Sequence, residues 1–170
     1  YDYLIGAVHC IFKDGHYISV DYGAKELKKA IQDFYDGDIY AFAEDYYREE
    51  ALVYEKTACT IVAHFDLVTK FMEAGLPLDC AHPRYRAAAD AALDALLKAS
   101  VLFEINTGAM SRGYRTTPYP DEFTLSRIAE KGGRVILSSD SHAADTLLFG
   151  FEDAMQLVKK HHLNLVSRLD

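Results

Sequence analysis

The chain of 170 residues has no tryptophan, only 3 cysteines, and fewer basic than acidic side chains, 18 Lys+Arg against 26 Asp+Glu. Each shortage excludes something. Three scattered thiols (Cys10, Cys59, Cys80) make neither a disulfide framework nor a CxxC pair, so a reducing, cytoplasmic setting is expected. A net charge of -8 with no long basic run argues against a nucleic-acid partner. No apolar run approaches the roughly 18 residues a membrane span needs, so no membrane partner is expected either. There is no GxSxG elbow and no Gly-rich phosphate loop followed by Lys. Repeats, low-complexity segments and linkers are also lacking, so we place residues 1–170 in a single domain. The chain starts at Tyr1, without Met, and runs straight into an apolar stretch; we expect it to be incomplete at the N-terminus.

What is present suits a packed core. Hydrophobic residues make up 50% of the chain and charge is interspersed, which excludes disorder. Four short apolar runs with a β-branched bias punctuate it: 4–9, 60–64, 101–106 and 135–140. Their hydrophobicity is nearly continuous rather than alternating, as in parallel strands buried on both faces. Between them lie helical stripes, including Leu27, Ala30, Ile31 and Phe34; Ile39, Phe42, Ala43 and Tyr46; Ala89, Ala92, Leu93, Leu96 and Leu97; and Phe151, Ala154, Met155 and Val158. Strands alternating with helices predict an α/β fold with a parallel sheet. Four strands are about half of a β/α barrel or a small open doubly wound sheet, and the pattern does not separate the two.

The polar residues fall in a pattern. Each apolar run ends in a metal-ligand or acid–base side chain: His9, His64, Glu104 with Asn106, and Asp140 followed by His142. The carboxyl ends of parallel strands form the functional face of such folds, so these endings converge on one side. Imidazoles mixed with carboxylates are the composition of a metal site. A single His or Asp at a strand end is most often a turn or cap residue, but four in succession are harder to dismiss. Asp66, two residues after His64, is read as a helix N-cap or as a carboxylate orienting an imidazole. His16, His82, His161 and His162 are read as structural or surface residues. Most tyrosines, Tyr40, Tyr46, Tyr47 and Tyr54 among them, are read as packing residues with a wet hydroxyl. The long segment 106–120 carries Arg112 and Arg115, whose planar forks suit phosphate oxygens.

Four stretches taken in order and spacing resemble the histidinol-phosphatase branch of the polymerase-and-histidinol-phosphatase (PHP) family. They are Leu4-Ile-Gly-Ala-Val-His9, Ile61-Val-Ala-His-Phe-Asp66, Phe103-Glu-Ile-Asn-Thr-Gly-Ala109 with the Arg-Gly-Tyr-Arg…Pro-Tyr-Pro loop, and Leu137-Ser-Ser-Asp-Ser-His142. The resemblance implies the C-terminal portion of a distorted seven-stranded β/α barrel with two or three divalent metal ions, Zn, Mn or Fe. It makes His9, His64, Asp140 and His142 metal ligands, puts Arg112 and Arg115 on phosphate, and matches Glu104 and Asn106 to a strand-end Glu-x-Asn. Asp140 and His142 are the candidates for passing a proton to the leaving group. The implied activity is hydrolysis of L-histidinol phosphate, a small phosphorylated substrate of histidine biosynthesis. The family's opening His-x-His, and the Asp, His and Glu that follow it, have no counterpart here. The first strand is therefore expected to show a bare edge, to be covered by a second copy or by a missing N-terminal portion. The rival readings are a PHP-type nuclease or nucleoside-bisphosphate phosphatase, which the acidity disfavours, and a non-catalytic structural module.

Overall fold

The four apolar runs do become parallel strands, shorter than the runs themselves, in a computed structural model that describes residues 1–169. In chain order the elements are β1 (Ile5–Gly6), β2 (Cys10–Lys13), β3 (His16–Ser19), α1 (Ala24–Tyr35), α2 (Ile39–Glu50), α3 (Val53–Thr57), β4 (Ile61–Val62), α4 (Pro83–Leu97), β5 (Leu102–Asn106), α5 (Gly108–Ser111), α6 (Glu122–Glu130), β6 (Arg134–Ser138), α7 (Phe151–Lys160) and β7 (Asn164–Leu165). The predicted helical stripes lie in α1, α2, α4 and α7. Caps fix their starts: Asp38 accepts the Tyr40 and Ala41 N–H groups, and Asp121 accepts that of Thr124.

One sheet runs in the order β1-β4-β5-β6-β7, every pair parallel. Each new strand joins on the same side of its predecessor. A doubly wound sheet would reverse direction at a switch point; this one never does. The order therefore describes an arc of a singly wound β/α barrel, which decides between the two architectures the sequence left open. β1 pairs only with β4 among the described residues, and Leu4 and Ile5 beside that free edge are exposed, as expected of an edge strand.

Two features went unread in the sequence. β7 is a two-residue strand, too short to show a pattern. The β2–β3 hairpin turns at Asp14-Gly15, both at positive φ (47° and 82°). An Asp-Gly pair between two stretches that alternate buried and exposed residues is the characteristic signal of such a turn.

The core lies between the sheet and helices α2 and α4. Tyr46, Tyr47, Phe65, Tyr85 and Phe103 interlock there, with neighbouring ring centres 5.3–5.8 Å apart. The expectation of wet tyrosine hydroxyls is corrected for two of the four named. Tyr46 donates to the Phe65 carbonyl (3.2 Å), and Tyr47 donates to Tyr85 Oη (2.8 Å), which donates onward to Asp121 (3.2 Å). Both side chains are fully buried, so internal partners replace water.

Candidate active site

Because the strands are parallel and adjacent, their carboxyl ends share one edge. His9 lies just past β1, His64 just past β4, Asn106 at the end of β5 and Asp140 just past β6. His9, His64, Asp140, His142 and Arg112 line one cavity of about 470 Å³. Five of the anticipated residues thus meet. Asp21, Lys70, Tyr114 and Tyr119 line the same cavity and were not anticipated.

The hairpin explains Asp21. The Val20 N–H donates to the His9 carbonyl (2.9 Å), so the chain returns beside its starting point and Asp21 Oδ2 meets His9 Nδ1 at 3.0 Å. Lys70 follows the 3-10 turn Leu67–Thr69, and its Nζ donates to the Asp21 carbonyl (3.0 Å). A second carboxylate is arranged in the same way. Arg112 donates to the Asp140 carboxylate (2.9 Å) and carbonyl (2.7 Å), and His142 Nε2 lies 3.7 Å from the same carboxylate. Each carboxylate is therefore flanked by one imidazole and one cation.

His64 is the buried member. Its ring centre is 5.0 Å from that of His9 and 6.1 Å from that of Tyr119. Its Nδ1 is buried without a hydrogen-bond partner, as is the Tyr119 hydroxyl. Burial, reinforced by the neighbouring His9, pulls the His64 imidazole down to about 4, so the ring is neutral near pH 7. Both His64 (φ 23°) and Asp140 (φ 43°) occupy the left-handed region, which is costly for residues other than glycine. These are the two lining residues held at positive φ, and neither is a helix cap.

Glu104 and Asn106 stand behind this surface, not in it. Glu104 Oε2 accepts the His64 backbone N–H (3.1 Å) and the Asn106 amide (2.8 Å), while Asn106 Oδ1 accepts the Gly108 N–H (2.9 Å). The pair fixes the strained His64 backbone and the start of α5. Burial raises the Glu104 carboxyl, and its hydrogen bonds oppose that rise. Gly108 is required for close approach: a Cβ there would lie 2.9 Å from Asp140 and from the Arg112 guanidinium.

Two readings need correction. Arg115 does not reach the cavity. Its side chain is 8% exposed, bonded to Thr69 and Thr117, 3.8 Å from Asp66, and stacked on the Tyr119 ring at 4.5 Å. Asp66 stands at the N-cap position of the 3-10 turn Leu67–Thr69 but makes no side-chain capping bond, and it partners no imidazole; its carboxylate accepts the Asp121 N–H at 2.8 Å instead. Its carboxyl is fully buried; desolvation raises it to about 7, opposed by Arg115. The pair forms because antiparallel bridging of Asn106 to Tyr119 closes the loop on itself and turns Arg115 inward. His82 caps α4 by accepting the Arg84 N–H, and His161 bonds Ser126, so both are structural, as read. Exposed Cys10 stays off the cavity.

The donor set fits a divalent metal in its chemistry. A neutral buried imidazole with an unpartnered nitrogen faces two further imidazoles and a carboxylate around the same space. Asp21 and Arg112 engage two of those donors, and among the described residues no three His, Cys, Asp or Glu side chains are gathered as a metal-holding group.

No protein-family model matches the chain. In sequence it is 27% identical over 146 residues to a probable histidinol-phosphatase of Schizosaccharomyces pombe, a match covering 83% of this chain and 44% of that protein. In fold it matches the crystal structure of a protein assigned as the histidinol phosphatase hisK of Listeria monocytogenes. There the TM-score is 0.73 at 18% identity, over 88% of this chain and 56% of the other. The chain thus spans about half the length of the relatives it matches. The resemblance to histidinol phosphatases drawn from the motifs is borne out, and so is the α/β barrel portion. No helix among the described residues is long and apolar enough to cross a membrane.

Proposed function

We propose that this chain carries part of the active site of a metal-dependent phosphomonoesterase that hydrolyses L-histidinol phosphate to histidinol and phosphate. One observation carries the reading: the carboxyl ends of adjacent parallel strands bring His9, His64, Asp140 and His142 to one cavity together with Arg112. In this reading His9, His64, Asp140 and His142 would hold divalent ions, Zn, Mn or Fe. Bound there, such ions would acidify a water and neutralise phosphoryl oxygens. The chain's own residues do the rest. Arg112, positioned by Asp140 and by the close approach at Gly108, offers its guanidinium to the phosphoryl group. Asp140 or His142, whichever leaves an atom free of the metal, would pass a proton through water to the leaving alkoxide. Glu104 and Asn106 keep His64 aimed at the cavity.

The test is an assay of histidinol phosphate, p-nitrophenyl phosphate and short DNA with Mn or Zn supplied, alongside metal analysis. Turnover of histidinol phosphate and loss of bound metal in His64→Ala are expected. Metal bound through His64 without turnover would mean that this portion holds the site but is inactive alone; turnover of p-nitrophenyl phosphate without histidinol phosphate would sink the preferred substrate. A second reading, a metal-poor binding module, is favoured by the engagement of Asp140 with Arg112 and the lack of a gathered metal-holding group among the described residues. Zero bound metal together with no turnover would select it.

A further inference from the structure

The cavity contains two cations whose donors are committed very differently. Arg112 gives both terminal nitrogens to Asp140, at 2.7 and 2.9 Å. Lys70 makes a single hydrogen bond, to the Asp21 carbonyl at 3.0 Å; the Asp21 carboxylate is 3.8 Å away, beyond hydrogen-bond reach. An ammonium has three N–H donors, so two of those on Lys70 have no protein acceptor. The side chain is nevertheless only 12% exposed, with Nζ 4.6 Å from the Tyr114 ring centre. Holding a long side chain and its charge in a wall costs side-chain entropy and desolvation. One neutral hydrogen bond, the Tyr114 and Phe71 ring faces (the latter at 5.4 Å) and a 3.8 Å approach to the Asp21 carboxylate offset part of that cost, and two N–H donors still find no acceptor. The cost is increased by Arg112, which shares the cavity and carries the same sign. A doubly charged anion between the two would satisfy the free donors and turn that repulsion into attraction.

We propose that Lys70 is a phosphate-holding residue of this cavity, gripping the phosphoryl oxygens together with Arg112 and selecting dianionic phosphomonoesters over singly charged phosphodiesters. This rests on the phosphatase reading and narrows its substrate class. A phosphomonoester carries nearly two negative charges at neutral pH and three terminal oxygens, enough for two cations; a diester has one charge and two free oxygens. Lysine suits the role as a compact point charge on a flexible stem. Asp21 positions it through the 3.0 Å carbonyl contact and ties it to His9. Lys70 thus fills the part that the sequence pattern assigned to Arg115.

The test measures binding of inorganic phosphate by calorimetry, and turnover of p-nitrophenyl phosphate and bis(p-nitrophenyl) phosphate, with the same metal supplied throughout. Lys70→Met is expected to weaken phosphate binding roughly 10- to 100-fold, the cost of a charge-assisted hydrogen bond. Lys70→Arg should recover most of it. KM for the monoester should rise more than for the diester in K70M, with K70Q giving the same result should K70M lose its fold. If K70M binds phosphate as tightly as the unmodified chain while Arg112→Met does not, the proposal is overturned and the phosphatase reading stands. If the unmodified chain neither binds phosphate nor hydrolyses either ester, both fall.

Discussion

Arg112 and Arg115 leave the same loop within one turn of each other and reach opposite surroundings. Arg112 sits on the cavity wall, 28% exposed, paired with an Asp140 that is itself 34% exposed. Arg115 sits in the layer beneath, 8% exposed, facing an Asp66 with no exposure at all. The wall keeps its polar groups under-committed, with an orphaned imidazole nitrogen and a strained backbone at both His64 and Asp140. The layer beneath spends nearly every donor internally, through the Tyr47–Tyr85–Asp121 relay and the Asp66–Asp121 bond. Of the buried unpartnered atoms, the His64 nitrogen and the Tyr119 hydroxyl are the ones that line the cavity, where a ligand could partner them.

The sharpest way to break this contrast is to remove each arginine. Arg115→Met should destabilise the chain by about 1–3 kcal/mol, because the buried Asp66 carboxyl must take up a proton and Thr69 and Thr117 lose a buried donor. Arg112→Met should cost under about 1 kcal/mol, since its pair is partly exposed, while weakening phosphate binding. Urea unfolding of both variants decides; equal losses of stability would erase the distinction.

The layer beneath has exceptions of its own, Asp66 Oδ1 and, most completely, Glu50. Glu50 is fully buried with both carboxyl oxygens unpartnered, and burial raises its carboxyl well above the ordinary range. A raised folded-state value means the folded chain keeps a proton that the unfolded chain releases. Stability is therefore fullest below the unfolded value of about 4.5 and falls as pH rises above it, by up to about 1.4 kcal/mol per pH unit. Glu50→Gln should remove that slope and be more stable than the parent at pH 8, as read from melting curves across pH 4 to 8. An unchanged slope would mean that Glu50 is ionised in the fold.

The smallest test compares two buried tyrosine hydroxyls. Tyr47→Phe deletes the bond to Tyr85 and should cost about 1 kcal/mol. Tyr119→Phe removes a hydroxyl with no protein partner and should change stability by less than about 0.5 kcal/mol. A larger loss at Tyr119 than at Tyr47 would reverse the assignment of layer and wall.

Much of this was legible without coordinates. The strand-end residues His9, His64, Asp140 and His142 could be placed together because parallel strands put all their carboxyl ends on one edge, whatever the details of packing. The stripes of α1, α2, α4 and α7 were readable because helical periodicity is local. The hairpin that delivers Asp21 was within reach through Asp14-Gly15, but only as a turn; its consequence for His9 depends on strand pairing.

The residues themselves determined an α/β chain whose candidate site residues lie at the ends of its strands. Tertiary structure decided the winding, since strand order records which neighbours pair and not what any strand is made of. It also decided which cations face the cavity. Arg115 and its partner Thr69 are 46 residues apart, and Lys70 and Asp21 are 49 apart. No periodicity spans such distances: where a loop side chain points is set by which distant group can satisfy its charge, and that is known only once the chain has closed on itself.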